Sequence, residues 1–146
     1  MRRCNQTGIK LIKEFEGCKL NSYKDVTGLL TIGYGHTGPD VTEDLTWTQI
    51  QADSAFSRDL GKIEAQVDHL TPTTLNDNQF SALVSFTYNL GSRRLQHSTL
   101  LKHLFENDFE AAANEFHKWA NAGGEPDEGL MRRRIAEKEL FETEAV

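Results

Sequence analysis

Residues 14–37 read EFEGCKLNSYKDVTGLLTIGYGHT, and this stretch decides how the rest of the chain is interpreted. Its first residues complete an apolar pattern of helical period, so we expect a helix that is capped by Thr7 and ends at Glu16. Residues 18–35 alternate between extended pieces and turn-forming residues, with a turn that begins at Asp25. The stretch therefore predicts a helix followed by a small β-hairpin.

Three side chains in this stretch suit one reaction. Glu16 lies at the edge of an apolar helix face, where burial would favour the protonated acid. Asp25 lies in an exposed turn, where a carboxylate stays ionised. One carboxylic acid that protonates the leaving oxygen, with one carboxylate that handles the water or the sugar cation, is the pair that hydrolyses a glycosidic bond. The hydroxyl of Thr31 is suited to holding that water.

The spacing of these residues resembles a known family. Glu16, Asp25 and Thr31, followed by Ile-Gly-Tyr-Gly-His, is similar to the Glu–Asp–Thr triad of the phage-type lysozymes, glycoside hydrolase family 24. Two later motifs, Phe-Thr-Tyr-Asn-Leu-Gly and Gly-Leu followed by Arg-Arg-x-x-Glu-x-x-Leu-Phe, also resemble that family. The resemblance extends over residues 7–142 and implies that the triad is catalytic.

The resemblance suggests further site residues. Asn89, in the second motif, is expected to contact substrate, and Ser98 is expected to do the same beside its role as a helix cap. Three consecutive arginines on a helix point in different directions, and we expect Arg133 to face inward as the partner of Glu16. His36 ends the hairpin, and we interpret it as a supporting residue that anchors the strand.

The expected fold class is α+β, mainly α, in the two-lobed arrangement that the resemblance implies. We expect one lysozyme domain over residues 1–146, with a small sheet lobe at 1–45, a long connecting helix at 46–69 and a larger helical lobe at 70–146. A capping box of Thr46 and Gln49 should start the connecting helix.

Later helix boundaries follow from polar caps and glycines. The predicted caps are Asn76, Ser98 and Asp108. The helix after Asp108 is expected to continue through Ala120 and to stop at Gly123-Gly124, and the last helix is expected near Gly129 to Glu142.

Composition limits the function classes. The net charge is −6 and no basic stripe dominates, which argues against nucleic acid as a partner. No apolar run is long enough to span a bilayer, and the N-terminus lacks the apolar region of a secretory signal. Cys4 and Cys18 lie too far apart along a helix for a disulfide, so we expect free thiols. We expect no metal and no cofactor.

The leading hypothesis is an endolysin that hydrolyses the β-1,4 bond between N-acetylmuramic acid and N-acetylglucosamine in peptidoglycan, a bacteriolytic activity. We expect a monomer that stays in the host cytoplasm until a holin releases it to the cell wall. Two alternatives remain open: a lytic transglycosylase, and a wall-binding module without catalysis. The Asp–Thr pair disfavours the first alternative, and the presence of the whole triad disfavours the second.

Overall fold

A computed structural model gives the fold, and it describes residues 1–144. This part of the chain is mainly helical, and its α-helices are α1 Gln6–Glu16, α2 Gln49–Leu70, α3 Asp77–Leu90, α4 Ser92–Gln96, α5 Thr99–Phe105, α6 Phe109–Ala113 and α7 Glu128–Glu142. Two antiparallel hairpins are formed by β1 Lys19–Lys24 with β2 Leu30–Gly33, and by β3 Asn121–Ala122 with β4 Glu125–Pro126. The predicted α+β class, mainly α, is confirmed.

The chain divides into two compact units. We call Ile12–Lys62 the sheet unit, and Met1–Leu11 together with Ile63–Val146 the helical unit. Helix α2 begins in the sheet unit and ends in the helical unit. The expected lobe boundaries, 1–45, 46–69 and 70–146, stay a prediction, and positions 145 and 146 lie outside the described residues.

The β1–β2 hairpin is the centre of the sheet unit. Tyr23 pairs with Thr31 across the two strands, and the register shifts between Lys19 and Tyr23. The connecting turn closes where the backbone N–H of Asp25 donates to the carbonyl of Leu29 at 3.0 Å. The buried apolar side chains of this unit are Ile12, Ile32, Val41, Ala52, Ala55, Phe56 and Leu60.

The expected capping box at the start of α2 is wrong by two residues. Thr46 and Trp47 pair with strand β1 and are not helical. Thr46 forms a β-bridge with Asn21, and the Trp47 N–H donates to the carbonyl of Leu20 at 2.8 Å. The box forms two residues later, between Thr48 and Gln51. Each of these two side chains accepts from the other's backbone N–H, at 3.2 and 2.8 Å.

The first helix also begins earlier than the sequence predicts. Helix α1 begins at Gln6, and the side chain of Asn5 accepts from the backbone N–H of Gly8 at 2.9 Å. Thr7 therefore lies inside the first turn and is not the cap. An asparagine whose side chain accepts from the backbone N–H three residues along caps a helix at least as well as a threonine does.

Helices α3 and α7 pack together in the core of the helical unit. Asn76 caps α3 with a complete capping box that includes Gln79, as the sequence predicts for the cap position. Ser98 and Asp108 cap α5 and α6 at the expected places. The fully buried apolar side chains include Phe80, Leu83, Val84, Phe86, Leu95, Leu100, Leu104, Ala112 and Phe116.

The single helix expected after Asp108 is wrong. Helix α6 ends at Ala113, a short 3₁₀ segment spans Phe116–Lys118, and the β3–β4 hairpin follows. Gly123 and Gly124 do not stop a helix. They form the two-residue loop of this hairpin, with φ of +59° and +84°, which suits the turns that join twisted antiparallel strands.

The two cysteines are free, as the sequence predicts. Burial raises the pKa of Cys4 to about 12, so this thiol stays protonated, whereas Cys18 is exposed. Among the helices described here, none is long and apolar enough to cross a membrane.

Candidate active site

Glu16 is the last residue of α1, and the chain turns sharply after it. The helix stops because Gly17 adopts a φ of +66°, and its N–H still donates to the carbonyl of Lys13 at 2.9 Å. The side chain of Glu16 is partly exposed. A carboxyl group at a helix end, on a rigid element and within reach of solvent, can donate a proton to a bound molecule.

Asp25 begins the β1–β2 turn and is held there by several hydrogen bonds. Its Oδ1 accepts from the hydroxyl of Thr27 at 2.6 Å, from the Thr27 N–H at 2.8 Å and from the Leu29 N–H at 3.0 Å. The Thr27 hydroxyl, followed by the Leu29 N–H, holds the pKa of Asp25 below its usual range. These hydrogen bonds favour the ionised carboxylate that the sequence predicts in this turn.

Thr31 lies on β2 with only 4% of its surface exposed. Its hydroxyl donates to the carbonyl of Leu29 at 2.9 Å, in the same turn that holds Asp25. Because the hydroxyl proton is used in this bond, the lone pairs of the oxygen remain available as acceptors.

Tyr23 links the three predicted catalytic residues. It pairs directly with Thr31 in the hairpin. Burial raises the pKa of Tyr23, and the negative charges of Glu16 and Asp25 raise it further. Gly35, four residues after Thr31, lies against the Glu16 carboxylate, because a Cβ atom added at position 35 would meet Oε1 of Glu16 at 2.6 Å. The sheet unit thus brings Glu16, Asp25 and Thr31 into one neighbourhood, while their catalytic roles stay predictions.

His36 lies between two carboxylates of the same unit. Its Nδ1 is 2.7 Å from Oδ2 of Asp59, and its Nε2 is 3.0 Å from Oδ2 of Asp40. Its backbone bonds in both directions with Ile32, at 2.9 and 2.8 Å. Burial alone would lower the pKa of His36, but the hydrogen bonds to Asp59 and Asp40 and their charges outweigh it and raise the pKa. These contacts join the end of the hairpin to α2.

The remaining predicted residues belong to the helical unit. Asn89 lies in the last turn of α3 and is partly exposed. The buried hydroxyl of Ser98 donates to the carbonyl of Leu95 at 2.7 Å and accepts from the Leu101 N–H at 3.0 Å. Substrate contact by Ser98 stays a prediction, although its hydroxyl is already used by these two bonds.

Arg133 is buried, as the sequence predicts, with 3% of its surface exposed. Its Nε lies 3.3 Å from Oε2 of Glu137, and its Nη2 donates to the carbonyl of Ser85 at 3.2 Å. The expected partnership with Glu16 stays a prediction. Sequence reasoning missed that Arg134 is more deeply buried, with 0% exposed. The spacing to Glu137, i, i+4 for Arg133 and i, i+3 for Arg134, puts both arginines beside this glutamate and does not distinguish the two.

Within residues 1–144, no group of three or more histidine, cysteine, aspartate or glutamate side chains is arranged to hold a metal ion.

Comparisons with known proteins agree with this arrangement. A match to the phage lysozyme family spans residues 13–137, which include Glu16, Asp25 and Thr31. The endolysin of Bacillus phage B103 is 43% identical over 141 residues, which are 95% of this chain and 54% of that protein. The chain thus spans about half the length of this curated relative.

Two other similar proteins align with this chain over almost their whole length. The endolysin of Salmonella phage P22 is 37% identical over 97% of this chain and 99% of its own length. The solved muramidase domain of SpmX from Asticaccaulis excentricus is 34% identical, covers 99% of this chain and 100% of its own, and superposes with a TM-score of 0.90. Sequence match, fold and site residues lead to one conclusion: this chain belongs to the phage lysozyme family.

Proposed function

We propose that this chain is an endolysin of the muramidase type, which hydrolyses the β-1,4 bond between N-acetylmuramic acid and N-acetylglucosamine in bacterial peptidoglycan. The observation that supports this most is that the sheet unit holds the Glu16 carboxylate against Gly35, just after strand β2, and the Asp25 carboxylate in the turn before that strand, where it accepts from Thr27 and Leu29. Two carboxyl groups at one site, of which one is kept ionised, match the needs of glycoside hydrolysis. Curated relatives named endolysins support the same proposal.

Glu16 is the proposed general acid. It gives its proton to the glycosidic oxygen as the bond from that oxygen to the anomeric carbon breaks. Asp25 is the proposed base, which takes a proton from the attacking water while the water oxygen bonds to the anomeric carbon. The acceptor lone pairs of the Thr31 hydroxyl are available to hold this water in position. The products are two sugars that together contain the atoms of one added water.

Attack by water predicts inversion at the anomeric carbon. Glu16 ends a helix and Asp25 begins a separate turn, an arrangement that permits a wide spacing of the two carboxyl groups. Inverting enzymes keep such groups about 6.5–9.5 Å apart. NMR of the fresh product should therefore show the α-anomer first. A β-anomer as first product would contradict the water-positioning roles of Asp25 and Thr31.

The alternative reactions differ in their products. A lytic transglycosylase closes the muramic acid onto itself and releases a 1,6-anhydro sugar, which is lighter than the hydrolysis product by one water. A wall-binding module releases nothing. Mass spectrometry of fragments from purified peptidoglycan tests the proposal, since we expect muramic acid with a free reducing end. Anhydro ends would favour the transglycosylase, and intact glycan would favour the binding module.

We further propose that the protein acts as a monomer on the cell wall and waits in the host cytoplasm until a separate holin opens the membrane. The support is the similarity of this chain to phage proteins that are named endolysins. Fractionation of cells that express the chain without a holin tests this. We expect the enzyme in the cytoplasmic fraction, and enzyme in the periplasm of unlysed cells would contradict it.

A further inference from the structure

A buried ionic cluster joins α3 and α7 in the helical unit. Arg134 and Glu137 are completely buried, and Arg133 is nearly so. The hydroxyl of Ser85, on α3, donates to Oε2 of Glu137 at 2.6 Å. The free energy lost when charged side chains leave water can exceed what their mutual attraction returns. A buried ionic cluster is therefore weak evidence for stability, and we asked what else its geometry determines.

Glu137 fixes the guanidinium of Arg134 from one side. Nε of Arg134 lies 2.8 Å from Oε1, and Nη2 donates to Oε2 at 3.1 Å. The first contact is an ion pair without good hydrogen-bond alignment, whereas the second is a hydrogen bond. The planar guanidinium is thus held in one orientation, with the ring of Phe86 5.2 Å away from its central carbon.

The same guanidinium reaches Asn89. Nη2 of Arg134 donates to Oδ1 of Asn89 at 2.9 Å. A guanidinium has only donors, so the amide atom that faces it must be the oxygen. The amide NH₂ of Asn89 then points away from Arg134. Because Asn89 is partly exposed while Arg134 is buried, the donors of the amide are those left for a ligand.

We infer that Arg134, held by Glu137, is a positioning residue that orients the amide of Asn89 so that its NH₂ donates to an oxygen of the bound glycan. This inference rests on the proposed function, because it takes Asn89 as a substrate contact. A freely rotating amide would present its oxygen or its nitrogen to the substrate about equally. A fixed amide presents donors only, and so selects an acceptor such as an acetamido carbonyl or a sugar hydroxyl oxygen.

A purely structural role makes a different prediction. In that case Asn89 serves only to satisfy the buried guanidinium, and any acceptor at position 89 would suffice. Asn89→Asp separates the two roles, because a carboxylate keeps the acceptor for Arg134 and removes both donors. Asn89→Ala removes the acceptor and the donors together.

The test compares these variants with the wild-type chain on soluble glycan strands from peptidoglycan. We expect Asn89→Asp to keep the thermal midpoint of the wild type but to raise KM about tenfold with kcat unchanged, as loss of one hydrogen bond in uniform binding predicts. Asn89→Ala should raise KM by the same factor and also lower the thermal midpoint. A folded Asn89→Asp variant with wild-type KM would overturn the inference.

Arg134→Lys gives a second test, with Arg132→Lys as the matched control at an exposed position of the same helix. Lysine keeps the charge but not the fork that joins Glu137 to Asn89. A folded Arg134→Lys variant should show a raised KM, and wild-type KM in this variant would also overturn the inference. A wild-type chain that releases no fragments would overturn the proposed function and the inference together. If the wild type is active, a wild-type KM in these variants overturns the inference alone.

Discussion

Gly35 lies against the carboxylate of Glu16. A Cβ atom at position 35 would meet Oε1 of Glu16 at 2.6 Å, closer than real Cβ contacts allow. The backbone there has a φ of +74°, which disfavours any residue with a side chain. The backbone conformation therefore favours glycine, and a side chain at position 35 would also force the Glu16 carboxylate to shift.

Replacement of Gly35 by alanine should displace the Glu16 carboxylate. Because a catalytic group moved by about 1 Å can cost on the order of 100-fold in rate, we expect Gly35→Ala to lose activity on that scale. Gly123→Ala is the control, since Gly123 has a φ of +59° and nothing within 4 Å of its Cβ position. The control should lose about 1–2 kcal/mol of stability and keep its rate. Equal wall-lysis rates for the two variants, measured at matched folded fractions, would contradict the prediction.

The hydroxyl of Thr27 should set the acid limit of activity. It is the main reason that the pKa of Asp25 is lowered, so Thr27→Val should raise this pKa toward its ordinary value. If ionised Asp25 is the base, the acid limb of the kcat/KM profile then moves to higher pH, while the rate well above that limb stays the same. Thr42→Val, at an exposed threonine of the same unit, should leave the profile unchanged. If the acid limb does not move in Thr27→Val, ionisation of Asp25 does not control the rate.

The ion pairs of His36 should stabilise the fold most at mildly acidic pH. Asp59 and Asp40 raise the pKa of His36 above the ordinary value of about 6.5. The charged form of His36 therefore stabilises the folded state. This contribution to the free energy of unfolding is fully present below the ordinary pKa and is lost as the pH rises through the raised pKa. Urea unfolding of His36→Gln should therefore show its largest deficit near pH 6 and a smaller one in alkaline buffer. His69→Gln, at an exposed histidine, is the control, and a deficit that grows with pH would contradict the account.

Local signals in the sequence were sufficient for much of the fold. The caps at Asn76, Ser98 and Asp108 were predicted correctly because each capping hydrogen bond joins residues three apart. Such a bond can be recognised from neighbouring residues in the sequence. The turn that keeps Asp25 ionised was predicted for the same reason, since its partners are Thr27 and Leu29.

Non-local contacts decided the features that the sequence did not predict. The start of α2 moved because strand β1 takes Thr46 and Trp47, which are more than twenty residues away from it. The burial of Arg134 depends on Phe86 and Asn89 of another helix, and nothing in a run of three arginines distinguishes the second from the third. Gly123-Gly124 suits a helix stop and a hairpin loop equally well, and only the pairing of β3 with β4 selects the loop.

The central claim is that the Glu16 carboxyl group is the proton donor for glycan cleavage. The most direct measurement is the rate of reducing-end release from purified peptidoglycan by Glu16→Gln, with Glu14→Gln as the matched control on the same helix. Glutamine keeps the shape but carries no acidic proton, so we expect Glu16→Gln to be folded and slower by about 100- to 10,000-fold, and Glu14→Gln to match the wild type. A folded Glu16→Gln variant that releases reducing ends at nearly the wild-type rate would contradict the claim.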